Sequence, residues 1–291
     1  MKPKPPADVH QRELCRALAA GLARARAGAA REFVADPQCL TLVSWTHRFY
    51  GAYRDVALDL PGIDRILKEP EPTPQDIAAI DSRARWLARL LHIMGDASPV
   101  FGRLIAKPQM RLTLREARRY LHNRRGIATE VRALLKAPLI AAWEAGERVL
   151  LIGHSLGSVI AYDTLWELSH EAGHEGNHGA RVDLFMTLGS PLATRSILKG
   201  LRGRGRKGRE RYPTNIRRWA NFAARGEMTA LHPELTPEFG AMVELGLLES
   251  LEDHTGFYNH FRGDIGLNVH KSYGYLAHPL VAGAIADWLA A

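Results

Sequence analysis

The stretch from Val149 to Leu165 constrains this chain more than any other. Four apolar residues, Val149-Leu150-Leu151-Ile152, run into Gly153-His154-Ser155-Leu156-Gly157, and a helix-patterned segment from Ser158 to Leu165 runs out. An unbroken apolar run bounded by glycine reads as a strand buried on both faces of a parallel sheet. A strand that passes directly into a helix is half of a βαβ unit, which makes the fold class α/β with a mostly parallel sheet flanked by helices. The turn itself is G-x-S-x-G, which places Ser155 on a sharp bend at the carboxyl end of the strand with its hydroxyl outward. Glycines two residues before and two after allow the bend and a close helix–strand contact. The next amide, that of Leu156, opens the helix and points where an oxyanion would form. Ser155 is therefore the candidate nucleophile and Leu156 the candidate oxyanion donor.

A length of 291 residues fits a single domain over 1–291. No run approaches the ~20 apolar residues of a membrane span, and Met1 to Pro6 carries no apolar core of a secretory signal. The two cysteines, Cys15 and Cys39, lack metal-ligand spacing, and a disulfide is not expected without an export signal. The expected location is the cytoplasm.

The net charge of +8 suggests a nucleic-acid partner until it is mapped. Seven cations against one anion lie between Lys199 and Arg211, so six of the eight net charges sit in one Gly-rich segment. Such Arg/Gly composition suits RNA or weak contact with an anionic surface through 199–211. The plainer expectation is a mobile, solvated loop over 199–213, with no nucleic-acid partner.

Along the chain, Asp8 to Arg31 reads as a helix with Asp8 as its cap, and Cys39 to Trp45 as a buried strand. Prolines 70, 72 and 74 break the pattern before a long helical region. Ile77, Ile80, Trp86, Leu90 and Met94 mark one amphipathic helix there, and Pro138 is placed to kink the last. Residues 62–145 together form a helical cover and crossover region, long for one crossover, and part of it is expected to cover the sheet as a lid. Further strands are expected at Val182–Leu188, Ile216–Phe222 and Ile265–Val269, and a closing helix at Pro279–Leu289.

One motif competes with the serine. His170-Glu171-Ala172-Gly173-His174 matches H-E-x-x-H, and His174 to His178 matches it again. A zinc site of this kind needs both histidines on one face of a continuous helix. Gly173, Gly176, Asn177 and Gly179 stop a helix there, so 170–178 reads as a frayed helix end and a loop. No metal and no cofactor is expected.

A serine nucleophile needs a base and an acid that orients it. Of thirteen histidines, His154 packs beside the serine, His254 and His260 lie in an irregular region, and His278 precedes Pro279 as a helix-start residue. His270, on the late loop before the last helix, is the candidate base. For the acid, Glu227 directly follows the Ile216–Phe222 strand, with Asp253 as the alternative and Asp264 third. Asp163, two helical turns past Ser155, reads as structural.

These residues together resemble the α/β-hydrolase superfamily, in particular its lipase/esterase-like serine hydrolases. Leu151 to Asp163 is similar to the elbow of bacterial lipase-like proteins, Leu188 to Leu192 to their next strand and loop, Gly226-Glu227 to their acid turn, and His270 to Tyr273 to their histidine loop. The resemblance covers about residues 145–291. It implies hydrolysis of a carboxylic ester, a small molecule or lipid-like, through an acyl-enzyme with no cofactor. A catalytically impaired scaffold with a binding role, or a zinc-dependent hydrolase using 170–178, are the rival readings. Members of the family carry a strand ending in His-Gly before the first helix, which supplies a second oxyanion amide. No such strand precedes the helix near Asp8. Either the true start lies upstream of the Met1 codon or the strand is lost, and an in-frame apolar run ending in His-Gly upstream would decide between them.

Overall fold

The computed structural model describes residues 3–36, 39–97, 108–171 and 179–291. The described residues form two compact units. One comprises Leu87–Ala223 with Glu227–Thr255; the other comprises Lys2–Trp86 with Ala224–Gly226 and Gly256–Ala291.

The first unit is built on a parallel four-stranded sheet flanked by helices. Its strands are β1 (Leu150–His154), β2 (Val182–Leu188), β3 (Ile216–Ala223) and β4 (Ser250–Thr255), in the spatial order β1-β2-β3-β4. Val182, Phe185 and Met186 on β2 are fully buried, as expected of a strand inside a parallel sheet. Each such side chain contributes about 1.5–3 kcal/mol. β1 forms where the apolar run predicts it, but Leu150, Leu151 and Ile152 are only half-buried. Among the described residues no strand lies on its outer side, so it is an edge strand rather than an interior one.

The helix Leu156–His170 that follows β1 is buried along almost its whole length. The helix Ile127–Glu144 packs along it and runs through Pro138 without interruption. That stretch of the expected lid thus belongs to the layer beside the sheet. The single amphipathic helix expected around Ile77 to Met94 is instead two helices, Pro74–Ile80 and Arg83–Ala97, divided at Asp81-Ser82. Trp86 and Leu87 are exposed on the second.

Two strand assignments are corrected. Cys39–Trp45 is irregular and only partly buried, because no neighbouring strand pairs with it. Ile265–Val269 is replaced by a small antiparallel hairpin, Arg262–Gly263 with Gly266–Leu267, whose tip leaves Ile265 exposed. The fourth sheet strand is Ser250–Thr255, whose Ser-Leu-Glu-Asp-His-Thr sequence carries neither an apolar run nor a clean alternation.

The basic segment is exposed over 204–210, as a solvated loop would be, but it is anchored at 201–203 and 210. The Arg202 amide donates to Asp163, the Trp166 indole donates to the Glu210 carbonyl, and Leu201 is buried. Gly203 has φ +74°, and a Cβ there would lie 2.1 Å from Trp166 Nε1, so the turn must be glycine.

In the second unit, the amino-terminal helix Ala7–Ala25 packs against the carboxyl-terminal helix Pro279–Ala290. Leu14, Ala17, Leu18 and Leu22 are buried on its inner face. Its N-cap is Pro6, not Asp8, and no side chain closes it. Gly21 lets the backbones approach: a Cβ there would lie 2.2 Å from the Leu276 carbonyl oxygen. A buried carboxylate, Asp59, receives Lys271 at 2.6 Å and Arg54 at 3.2 Å, which satisfies a charge that could not stay buried alone.

Candidate active site

Ser155 stands between β1 and the helix it feeds, in a conformation that L-residues rarely adopt: φ +57°, ψ −129°. Its surroundings fix that conformation. The Ser155 amide donates to the Leu188 carbonyl at 3.0 Å, extending the β1–β2 ladder one residue past the strand. One turn on, the Ser158 amide and hydroxyl both donate to the Ser155 carbonyl, the hydroxyl at 2.6 Å. With its proton on that carbonyl, the Ser158 hydroxyl oxygen accepts from the Ser190 hydroxyl, 2.7 Å away, and Ser190 Oγ in turn accepts from the Leu192 amide. The Ser158–Ser190 pair supports the turn, and sequence reading missed it because the two residues meet only across strands. Gly153 is required for space, since a Cβ there would lie 2.6 Å from the Ser158 Cα. Ser155 and Leu156 are both buried. The Leu156 amide is in the first turn, where backbone N–H groups have no intrahelical acceptor and the helix end favours negative charge.

Glu227 lies four residues beyond the carboxyl end of β3. It is 1% exposed and accepts from the Thr229 amide at 2.8 Å. Arg89 supplies positive potential near it. Ser155 and Glu227 therefore belong to the same unit and emerge from the same end of a parallel sheet, on strands two apart. That spacing is roughly 10 Å between strand axes.

Asp253 is differently engaged. It lies within β4, level with Asn221, Thr187 and Gly153 on the neighbouring strands. A hydrogen-bonded row crosses the sheet at this level. Trp219 Nε1 donates to Thr187 Oγ1, Thr187 Oγ1 donates to Asn221 Oδ1, and Asn221 Nδ2 donates to Asp253 Oδ1. Asp253 also accepts from the Leu235 amide and from both the amide and hydroxyl of Thr236. Four donors thus converge on a carboxylate that ties β4 to the 235–236 turn.

His270 is carried by the other unit, half-buried, on a tight turn. Its amide donates to Asn268 Oδ1 at 3.1 Å. Asn259 braces the next residue by donating to the Lys271 carbonyl, and Gly274 leaves room for the Asn259 side chain. Asp264 faces Arg54 at 3.0 Å in the same unit.

The other histidines have local partners. His254 stacks on Phe222, and His260 Nε2 pairs with the Glu69 carbonyl. His278 caps the last helix by accepting from the Leu280 amide, as its place before Pro279 suggests, and burial lowers its pKa to about 4. His170 Nε2 pairs with the Tyr212 carbonyl; His174 and His178 of the H-E-x-x-H segment lie outside the described residues. Among the described residues no three His, Cys, Asp or Glu side chains group as metal ligands, and no helix is long and apolar enough to cross a membrane. Cys15 and Cys39 are free thiols.

No family model, curated protein or solved structure matches the chain.

Proposed function

We propose that this protein is a serine hydrolase of the α/β-hydrolase type that cleaves a carboxylic ester through an acyl-enzyme. The observation that carries the reading is the backbone of Ser155. A non-glycine residue at φ +57° and ψ −129° costs of order 1–3 kcal/mol and persists only where its surroundings over-determine it. Here a strand ladder and two hydroxyls hold it at the mouth of a helix. Such a turn sets an oxygen nucleophile beside an oxyanion-binding amide in one stroke.

In this mechanism Ser155 Oγ attacks the ester carbonyl carbon as its proton passes to His270. The carbonyl oxygen becomes an oxyanion and accepts from the Leu156 amide. Collapse expels the alcohol, which takes the proton back from His270. Water then attacks the acyl-serine by the same route and restores Ser155. Glu227 orients the imidazole. It is preferred to Asp253 because it follows β3 on a turn, while the Asp253 carboxylate already accepts four structural hydrogen bonds. The chain order serine, acid, histidine agrees with the resemblance of the elbow, acid turn and histidine loop to lipase-like hydrolases. The free thiols Cys15 and Cys39 fit a reducing, cytoplasmic setting.

A fluorophosphonate probe tests the proposal, because it phosphonylates an activated serine and nothing else in the site. Covalent labelling of the wild type that disappears in Ser155→Ala is the expected result. Wild-type protein that takes up no probe identifies a scaffold that binds without turnover. Labelling that survives Ser155→Ala assigns the nucleophile elsewhere.

A further inference from the structure

The basic segment that the proposed chemistry leaves unused lines the rim of an open cavity of about 550 Å³. Asp163 and Trp166, in the middle of the helix that begins after Ser155, contribute to its lining. At 1.5 Å per residue Asp163 is about 12 Å along that helix from Ser155, and neither Ser155 nor Glu227 lines the space.

We propose that this cavity binds a phosphorylated small molecule of about nucleotide size. Its lining is strongly cationic: Arg132, Arg202, Arg204 and Arg206 face a single carboxylate, Asp163. Three of these charges are set in place by other residues. Glu167, itself buried, holds Arg132 at 2.7 Å and Arg202 at 3.0 Å, and also Lys136 at 2.9 Å. Lys136 is shared with Glu171 at 3.7 Å, which leaves Glu167 facing two guanidinium groups. Asp163 accepts from the Tyr120 hydroxyl and the Arg202 amide, so both of its oxygens are engaged. Arg206 is steadied by Glu210 at 3.3 Å, whereas Arg204 makes no ion pair among the described residues.

The chemistry of the rim suits phosphate. Arg-Gly-Arg-Gly-Arg over 202–206 alternates guanidinium groups with residues that lack a Cβ. Guanidinium pairs phosphate in bidentate fashion, and glycine lets backbone amides approach an anion closely. Three arginines in five residues suit a ligand with at least two negative charges. The volume lies in the range of small-molecule sites and far exceeds one phosphate, so the ligand carries a further polar body beside His122 and Asn123. A concave site braced by buried ion pairs favours one small molecule over the extended surface of RNA or a bilayer.

The test uses the full-length protein and isothermal titration at fixed ionic strength, with pyrophosphate and ATP as probes. Saturable one-to-one binding of at least one probe is expected, with affinity lowered about tenfold or more in Arg204→Gln/Arg206→Gln. Lys207→Gln, a neighbouring charge that does not line the cavity, should bind like the wild type. Three results overturn the proposal: no saturable binding of either probe, equal loss in Lys207→Gln, or binding only to phosphatidylserine vesicles or an RNA oligonucleotide. Circular dichroism of both variants, whose substituted side chains are exposed, separates lost binding from lost folding. The readout is independent of ester hydrolysis, so the two proposals fail separately.

Discussion

A serine at φ +57° and ψ −129° is held against its own preference, and glycine would accept the same angles freely. Two replacements of Ser155 that both remove the hydroxyl should therefore differ in stability. Ser155→Gly is expected to unfold about 1 kcal/mol above Ser155→Ala in urea titration, with neither taking up a fluorophosphonate probe. Equal stability of the two variants would mean that the turn carries no strain. The serine and its flanking glycines are legible in the sequence because a sharp strand-to-helix turn has local requirements. The hydroxyls that brace it are less so: Ser158 is one turn away, but Ser190 is brought in by a different strand.

Among elements, the sheet separates two carboxylates that the sequence could not. β3 and β4 are neighbours, and the polar row Thr187-Asn221-Asp253 runs across them beneath the carboxyl ends of the strands. Glu227 lies beyond that end, while Asp253 lies within the row. Removing charge from each should have opposite consequences. Glu227→Gln is expected to slow fluorophosphonate labelling by about a hundredfold or more with little change in urea midpoint. Asp253→Asn should label within about threefold of the wild-type rate but lose roughly 1–3 kcal/mol, because an acceptor of structural N–H and O–H groups is replaced by a donor. The reverse pattern would transfer the acid role to Asp253. β2 and β3 could be read from apolar runs. β4 could not, since it owes its place to pairing with β3 and to hydrogen bonds made by Asp253 rather than to any pattern of its own.

For the molecule as a whole, buried titratable groups in the two units pull stability in opposite directions with pH. In the unit carrying the terminal helices, burial lowers the pKa of His10 to about 3 and that of His278 to about 4. Unfolded histidine takes up its proton near 6.5. Between that value and the folded pKa the unfolded state binds more protons, so stability is lost as pH falls through this window. In the other unit, burial raises Asp163 to about 6. There the folded state binds more protons between about 4 and 6, so acid adds stability. Urea unfolding followed at pH 7 and pH 5 should show His10 contributing a loss of about 2 kcal/mol. His10→Phe, which keeps a ring against Tyr273, should remove that share of the pH dependence. An unchanged slope would show that His10 titrates normally in the folded protein.

The sequence by itself determined the local units: an apolar strand, a glycine-flanked serine and a buried helix, each fixed by interactions within a few residues. It also marked Glu227 and His270 as candidates through their places after predicted strands. Tertiary structure alone decided the rest. It left Cys39–Trp45 without a pairing partner and made a strand of polar Ser250–Thr255. It also tied the Arg/Gly segment to Asp163, Trp166 and Glu167, residues more than thirty positions away. Strand pairing and charge neutralisation depend on which distant groups meet, and a composition that reads as a solvated loop is anchored where the buried carboxylates Asp163 and Glu167 hold Arg202.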